Sequence, residues 1–259
     1  MNLGLAGRTV LITGASSGIG SALASGYGRE QANVAITYHS DRDGAAQTAK
    51  EVIEAGGQAI TLPFDLGDLD SVQPLVTAIE DRWGGIDVLA ASAVRWPDRS
   101  PSGRFENLET ATWQNVLRDN IEGNLSLVQA VLPAMRVRQW GRILFMSTGM
   151  AEEGMFGGET YTTAKAALHG FARSLAWGVG GDGILVNVLS AGLTLTERNR
   201  EAIPKAVTDS IASRVPLQAL SRPDDLVPIA LFLTSEANNS ITGEVVREGS
   251  SNGRSSHSG

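Results

Sequence analysis

The sequence contains no cysteine. A disulfide framework, a thiol nucleophile and a cysteine-ligated metal are therefore excluded. Histidine is almost as scarce. His39, His169 and His257 are far apart and show no metal-ligand spacing, so no metal site is expected. Basic residues are outnumbered, 21 Lys and Arg against 28 Asp and Glu, for a net charge of -7 and a pI near 5.0. They are scattered and form no block, which argues against nucleic acid or an anionic membrane as the main partner. No apolar run approaches membrane-spanning length. The opening MNLGLAGRTVLITG lacks a charged region ahead of a long apolar stretch and does not read as a signal peptide. The expectation is a soluble, cytoplasmic protein.

What is present is a chain of 259 residues, 42% hydrophobic, with 30 glycines. It can bury a large core and still make many tight turns. Short runs rich in Val, Ile and Leu fall at 8–13, 33–38, 58–64, 86–91, 141–147, 184–190 and 243–247. Amphipathic stretches fall at 19–30, 42–56, 70–83, 110–138, 158–178 and 222–235. This alternation predicts βαβ units, with strands covered on both faces. Right-handed crossovers then give a single-domain, Rossmann-type, doubly wound parallel sheet of about seven strands over residues 1–250. The Ser/Gly-rich stretch 251–259 reads as a flexible tail. Residues 193–218 interrupt the alternation and read as a lid over a site.

The first strand runs into TGASSGIG, residues 13–20. Glycines at Gly14, Gly18 and Gly20 permit a tight turn and close approach of backbone to a ligand. The helix that follows offers unpaired N–H groups to a pyrophosphate. The spacing is G-x-x-x-G-x-G rather than G-x-G-x-x-G. Far downstream, YTTAK puts Tyr161 and Lys165 four residues apart, on one helix face. A nearby ammonium lowers the pKa of a phenol, which suits proton exchange with a substrate oxygen.

Both motifs, in this order, resemble the short-chain dehydrogenases/reductases, and the resemblance runs to about residue 250. It implies hydride transfer between a nicotinamide and a carbonyl carbon, with Tyr161 handling the proton and Lys165 also holding the nicotinamide ribose. Asn120 matches an asparagine whose helix kink holds a water in the family's proton relay. The substrate hydroxyl, thirteen residues before the tyrosine, falls on Thr148, with Ser147 as the alternative. The turn residues Gly14, Ser16, Ser17, Gly18, Ile19 and Gly20 would cradle the coenzyme. Asp65, with Leu66, resembles the acid that accepts from the adenine amino group, and Thr194 and Thr196 match carboxamide contacts.

Three departures from the family pattern stand out. Its N-N-A-G is Ala91, Ser92, Ala93 and Val94 here. Its Pro-Gly is Ala191-Gly192, and its D-G-G is Glu248-Gly249-Ser250. Tyr38 holds the place of an acid that would bind the ribose 2′-OH, and His39, Ser40 and Arg42 could face a 2′-phosphate. Asp41 and Asp43 oppose this and are expected in the next turn. NADP(H) is therefore expected over NAD(H).

Trp96, Met150, Met155, Phe156 and Leu193 would wall the pocket and suit a flat apolar ketone. The chain looks like a ketoreductase tailoring aromatic polyketides of the angucycline type. A 3-oxoacyl-carrier-protein or steroid-like reductase is the alternative, and a coenzyme-binding regulatory protein without turnover is a reading of another class. The long helices 110–138 and 158–178 carry surplus apolar residues, and family members pair these helices into homotetramers.

Overall fold

The computed structural model describes residues 2–96 and 103–249, so the predicted tail 251–259 lies outside the described residues. Seven strands form one sheet: β1 Thr9–Thr13, β2 Asn33–Tyr38, β3 Gln58–Pro63, β4 Val88–Ala91, β5 Gly141–Thr148, β6 Ile184–Ala191 and β7 Val245–Arg247. Their order is β3-β2-β1-β4-β5-β6-β7, and every pair is parallel. The helices between them are α1 Gly18–Arg29, α2 Arg42–Glu54, α3 Val72–Trp83, α4 Thr110–Arg138, α5 Met150–Glu153, α6 Glu159–Val179, α7 Glu197–Ala202, α8 Lys205–Ala212 and α9 Pro223–Leu233.

β1, β4, β5 and β6 are buried along their whole length, which is why they lack the polar alternation of a half-exposed strand. Alternate residues feed two separate cores. Leu11, Leu89, Ile143, Phe145, Val186 and Val188 pack with α3, α4 and α6. Val10, Ile12, Ile36, Leu144 and Leu189 pack with α1 and α9 on the other face. Each such side chain contributes on the order of 1.5–3 kcal/mol. In the second core Tyr27 is fully buried, and its hydroxyl bonds Thr234 Oγ1 at 2.7 Å.

Chain order reverses between β1 and β4. In open α/β sheets a crevice opens at the carboxyl ends of the strands at that point, and ligands bind there. The predicted strands agree closely with the observed ones. β4 begins two residues later than expected, at Val88, although backbone bonds to Thr9 O and from Arg142 N are already made by Asp87. Its carboxylate accepts from Thr9 N at 2.9 Å and pairs with Arg138 at 3.2 Å. The segment 193–218 is not a plain loop. It holds α7 and α8 and is closed at its base by a bridge between Thr194 and Ser221.

Candidate active site

The glycine turn joins β1 to α1 at the reversal point. Gly14 and Gly18 have φ of +65° and +59°, a region that favours glycine. A Cβ on Gly14 would lie 2.7 Å from Ala93 Cα, and one on Gly20 would strike the Gly14 carbonyl. Ser17 is the N-cap of α1, yet its side chain caps nothing, so the hydroxyl and the first helical N–H groups are left for a ligand. Thr13 Oγ1 accepts from Ser92 N at 3.1 Å and Ala93 N at 3.0 Å, holding the segment after β4 against the turn.

Beside the turn is a cavity of about 180 Å³. Gly14, Ser16, His39, Ser40, Asp41, Asp65, Leu66, Ala93, Val94, Arg95 and Asp119 line it. His39 Nε2 stands 3.4 Å from Asp65 Oδ2 at its rim. Three expectations change here. Tyr38 is not part of the lining: strand alternation turns it away, and it packs on the core beneath α1. Asp41, expected beyond the site, lines the cavity while capping α2 through Gly44 N at 2.9 Å. Arg42, the first residue of α2, does not line it. A wider depression of about 510 Å³ between α2 and β3 holds only the self-paired Lys50 and Glu54 as charged groups and is remote from both motifs.

At the other half of the crevice, α6 carries Tyr161, Lys165 and His169 on one buried face, four residues apart each time. Lys165 Nζ donates to the Met146 carbonyl at 2.8 Å, and burial pulls its pKa down to about 8. Tyr161 is pushed the other way, up to about 12, because it is buried. Its hydroxyl has no hydrogen-bond partner among the described residues, and Trp96 stacks on its ring at 4.9 Å and 26°. The expectation that Lys165 would lower the phenol is thus not met in the protein alone, where the desolvated ring lacks a partner for a negative charge.

Asn120 is fully buried in α4, and its Nδ2 donates to the Val116 carbonyl one turn back at 2.9 Å. The same side chain brackets residue 95, accepting from Arg95 N at 3.0 Å and donating to Arg95 O at 2.8 Å. It thereby fixes the residue next to Trp96. Asn124 donates to the Asn120 carbonyl at 2.7 Å. The two candidate hydroxyls differ plainly. Ser147 Oγ is bonded to His169 Nε2 at 2.7 Å. Thr148 Oγ1 accepts from Met150 N at 3.3 Å, which leaves its proton free to donate.

The segment 193–218 rests on the glycine turn, where Thr196 Cγ2 lies 3.3 Å from where a Cβ on Gly18 would be. Thr196 caps α7 through Asn199 N at 3.2 Å, and Thr194 Oγ1 donates to Gly192 O at 3.3 Å. From α7 the Arg198 guanidinium sits 5.2 Å over the Trp96 ring. Met150, Met155 and Leu193 are half-buried nearby in sequence, whereas Phe156 is 83% exposed beside Gly103 and does not wall the tyrosine. Sequence reading missed Arg198, His169 and Glu248. The last is buried, bonds the Ser221 hydroxyl and accepts from Gly192 N at 3.3 Å. Its position in place of an aspartate was the one available signal. Among the described residues no group of three or more metal-ligating side chains occurs, and no helix is long and apolar enough to cross a membrane.

Residues 14–247 match the family model described as enoyl-(acyl carrier protein) reductase. The L-rhamnose 1-dehydrogenase (NAD(P)(+)) of Sphingomonas sp. is 35% identical over 247 residues, 92% of this chain and 93% of that one. The 3-oxoacyl-[acyl-carrier-protein] reductase of Pseudomonas aeruginosa is 30% identical over 94% of this chain and 96% of that one. Among solved structures, a 3-oxoacyl (acyl-carrier-protein) reductase from Agrobacterium tumefaciens with NADP bound superimposes with a TM-score of 0.88. It is 29% identical, covering 96% of this chain and 95% of that one.

Proposed function

The chain belongs to the short-chain dehydrogenase/reductase family of NAD(P)-dependent oxidoreductases acting on alcohols and ketones, and on that premise we propose that it reduces an apolar, ring-bearing ketone with NADPH. The observation that carries the substrate class is the stack of Tyr161, Trp96 and Arg198, two aromatic planes and a guanidinium over the proton donor. Such planes favour a flat substrate ring over a polyol. A polycyclic aromatic polyketide fits that description.

The residues fit the coenzyme. The glycine cradle, the uncapped Ser17 and the cavity lined by Ser16, His39, Ser40, Asp65 and Leu66 would hold its phosphates and adenosine. When bound, the nicotinamide supplies the hydride. The protein's part is binding, orientation and the proton. Thr148 donates to the carbonyl oxygen and orients it, Ser147 being committed to His169. Tyr161 gives that oxygen its proton. Lys165 brings a positive charge to the same helix face, held by the Met146 carbonyl. Trp96 keeps water from the phenol, and Asn120 keeps Trp96 in place through residue 95. The enzyme would work in the cytoplasm as a homotetramer.

The test is a coenzyme-absorbance assay over a ketone panel. Polycyclic aromatic ketones should exceed 3-oxoacyl thioesters by about tenfold or more in kcat/KM, a difference of about 1.4 kcal/mol in transition-state binding. The reverse order would favour the second reading, a 3-oxoacyl thioester reductase, for which the names of relatives speak. Binding of NADPH with no turnover on any ketone would instead indicate a regulatory protein.

A further inference from the structure

Lys165 does not stand alone on its helix face. One turn further along α6, His169 is 7% exposed, and its Nε2 lies 2.7 Å from the equally buried Ser147 Oγ. Ser147 shares a peptide bond with Met146, whose carbonyl accepts from Lys165 Nζ at 2.8 Å. α6 is therefore fastened to the end of β5 at two consecutive residues, once through the lysine and once through the histidine. Ser190 is the partner of Ser147 in the β5–β6 register, and its buried hydroxyl has no partner among the described residues. Among the described residues nothing else is bonded to Ser147 Oγ, so His169 is the group that sets it.

We propose that His169, acting through Ser147, is a positioning residue for Lys165: it fixes the Met146–Ser147 peptide and so the place from which the ammonium acts. The proposal rests on the reading of Lys165 as the active-site lysine. A histidine suits the task in a way other residues do not. Burial lowers its pKa, with Arg173, Lys165 and Arg247 adding to the effect and Glu152 opposing it, so at neutral pH it brings no second cation beside the buried ammonium. A lysine or arginine would bring one, and an apolar residue would leave a second buried hydroxyl unpaired. The charged groups facing it are Glu152 from α5, Arg247 from β7, and Lys165 and Arg173 from α6. Glu152 and Arg247 are paired with each other.

The test compares His169→Phe, Ser147→Ala, His169→Gln and Lys165→Ala, reading KM for NADPH and the alkaline limb of the kcat–pH profile. The first two should each raise KM for NADPH by roughly three- to tenfold, the worth of one neutral hydrogen bond. Both should also move the alkaline limb to lower pH, because an ammonium with a displaced acceptor holds its proton less well. His169→Gln can bond Ser147 at the same reach and should restore both. If His169→Phe does not fold, Ser147→Ala removes the same bond by deleting one oxygen. KM and pH limb unchanged in His169→Phe and Ser147→Ala, with Lys165→Ala damaged, would overturn the positioning role alone. A Lys165→Ala enzyme with unaltered NADPH binding and turnover would overturn the reading beneath it. Loss of kcat in Ser147→Ala with neither KM nor pH limb moved would make Ser147 a direct participant and also overturn the proposal.

Discussion

Trp96 lies on Tyr161 with ring centroids 4.9 Å apart, and it is the only ring stacked on that tyrosine among the described residues. The indole is still 44% exposed, with the Arg198 guanidinium 5.2 Å over its ring. Trp96→Ala should raise KM for a polycyclic ketone by about tenfold, in line with the loss of one stacking contact and its buried area. A small aliphatic ketone should be affected far less. Steady-state kinetics on the two substrates decide it, and equal losses on both would remove Trp96 from substrate recognition.

Tyr161→Phe should lower kcat by about a hundredfold or more, the range for loss of a positioned proton donor, while NADPH binding measured by fluorescence titration stays within about twofold. Thr148→Ala should also reduce kcat strongly, with coenzyme binding kept. Wild-type turnover in either variant would mean that its hydroxyl is not the one used.

Ser40 and His39 face the cavity where a 2′-phosphate would lie, and Asp41 faces it as well. The expected preference is for NADPH, and a ratio of kcat/KM at or below one against NADH would refute it. Ser40→Ala should lower kcat/KM for NADPH more than for NADH. Asp41→Asn should sharpen the NADPH preference by removing a repulsive charge, and asparagine keeps the cap on α2.

The buried ammonium of Lys165 costs stability. Its folded pKa of about 8 lies below the ordinary 10.5, so between those values the unfolded chain binds more protons than the folded one. Stability should therefore rise with pH across that window, by up to about 1.4 kcal/mol for each pH unit from this group. The penalty is present in full below pH 8. Lys165→Met should abolish that slope and raise Tm at neutral pH while removing activity. Denaturant titrations at pH 7 and pH 10 measure it, and a slope unchanged by the substitution would show that the ammonium is not the source.

Trp177 on α6 is 93% exposed and Val137 on α4 is 87% exposed, large apolar groups on the two helices expected to pair between subunits. A closed symmetric oligomer would cover them. Light scattering should give four times 27.2 kDa, and Trp177→Glu should lower that mass. A wild-type enzyme of full activity at the monomer mass would end the tetramer proposal.

Most of the fold was legible because β1, β2, β5 and β6 are dense in Val, Ile and Leu and the helices between them are long and periodic. The glycine turn and the Tyr161–Lys165 pair were legible for a related reason, since both are local. What sequence could not supply was orientation at element ends. Tyr38 and Asp41 are three residues apart at the exit of β2, and which one meets the cavity depends on the last turn of strand alternation and on α2 seating Gly44 against Ser16 O. Burial raises the Tyr161 phenol, and the Trp96 stacked on its ring is held by a segment that Asn120 pins from another helix. The Ser147–His169 bond joins two residues that each look ordinary in their own segment.

Glu248 closes the molecule in time as well as in space. One buried carboxylate, just past β7, holds both Gly192 and Ser221, which flank the segment 193–218. Ribosomal synthesis runs from the amino terminus, so the glycine turn and α6 emerge well before that latch exists. A nascent chain stalled ahead of β7 would lack the carboxylate that joins those two points.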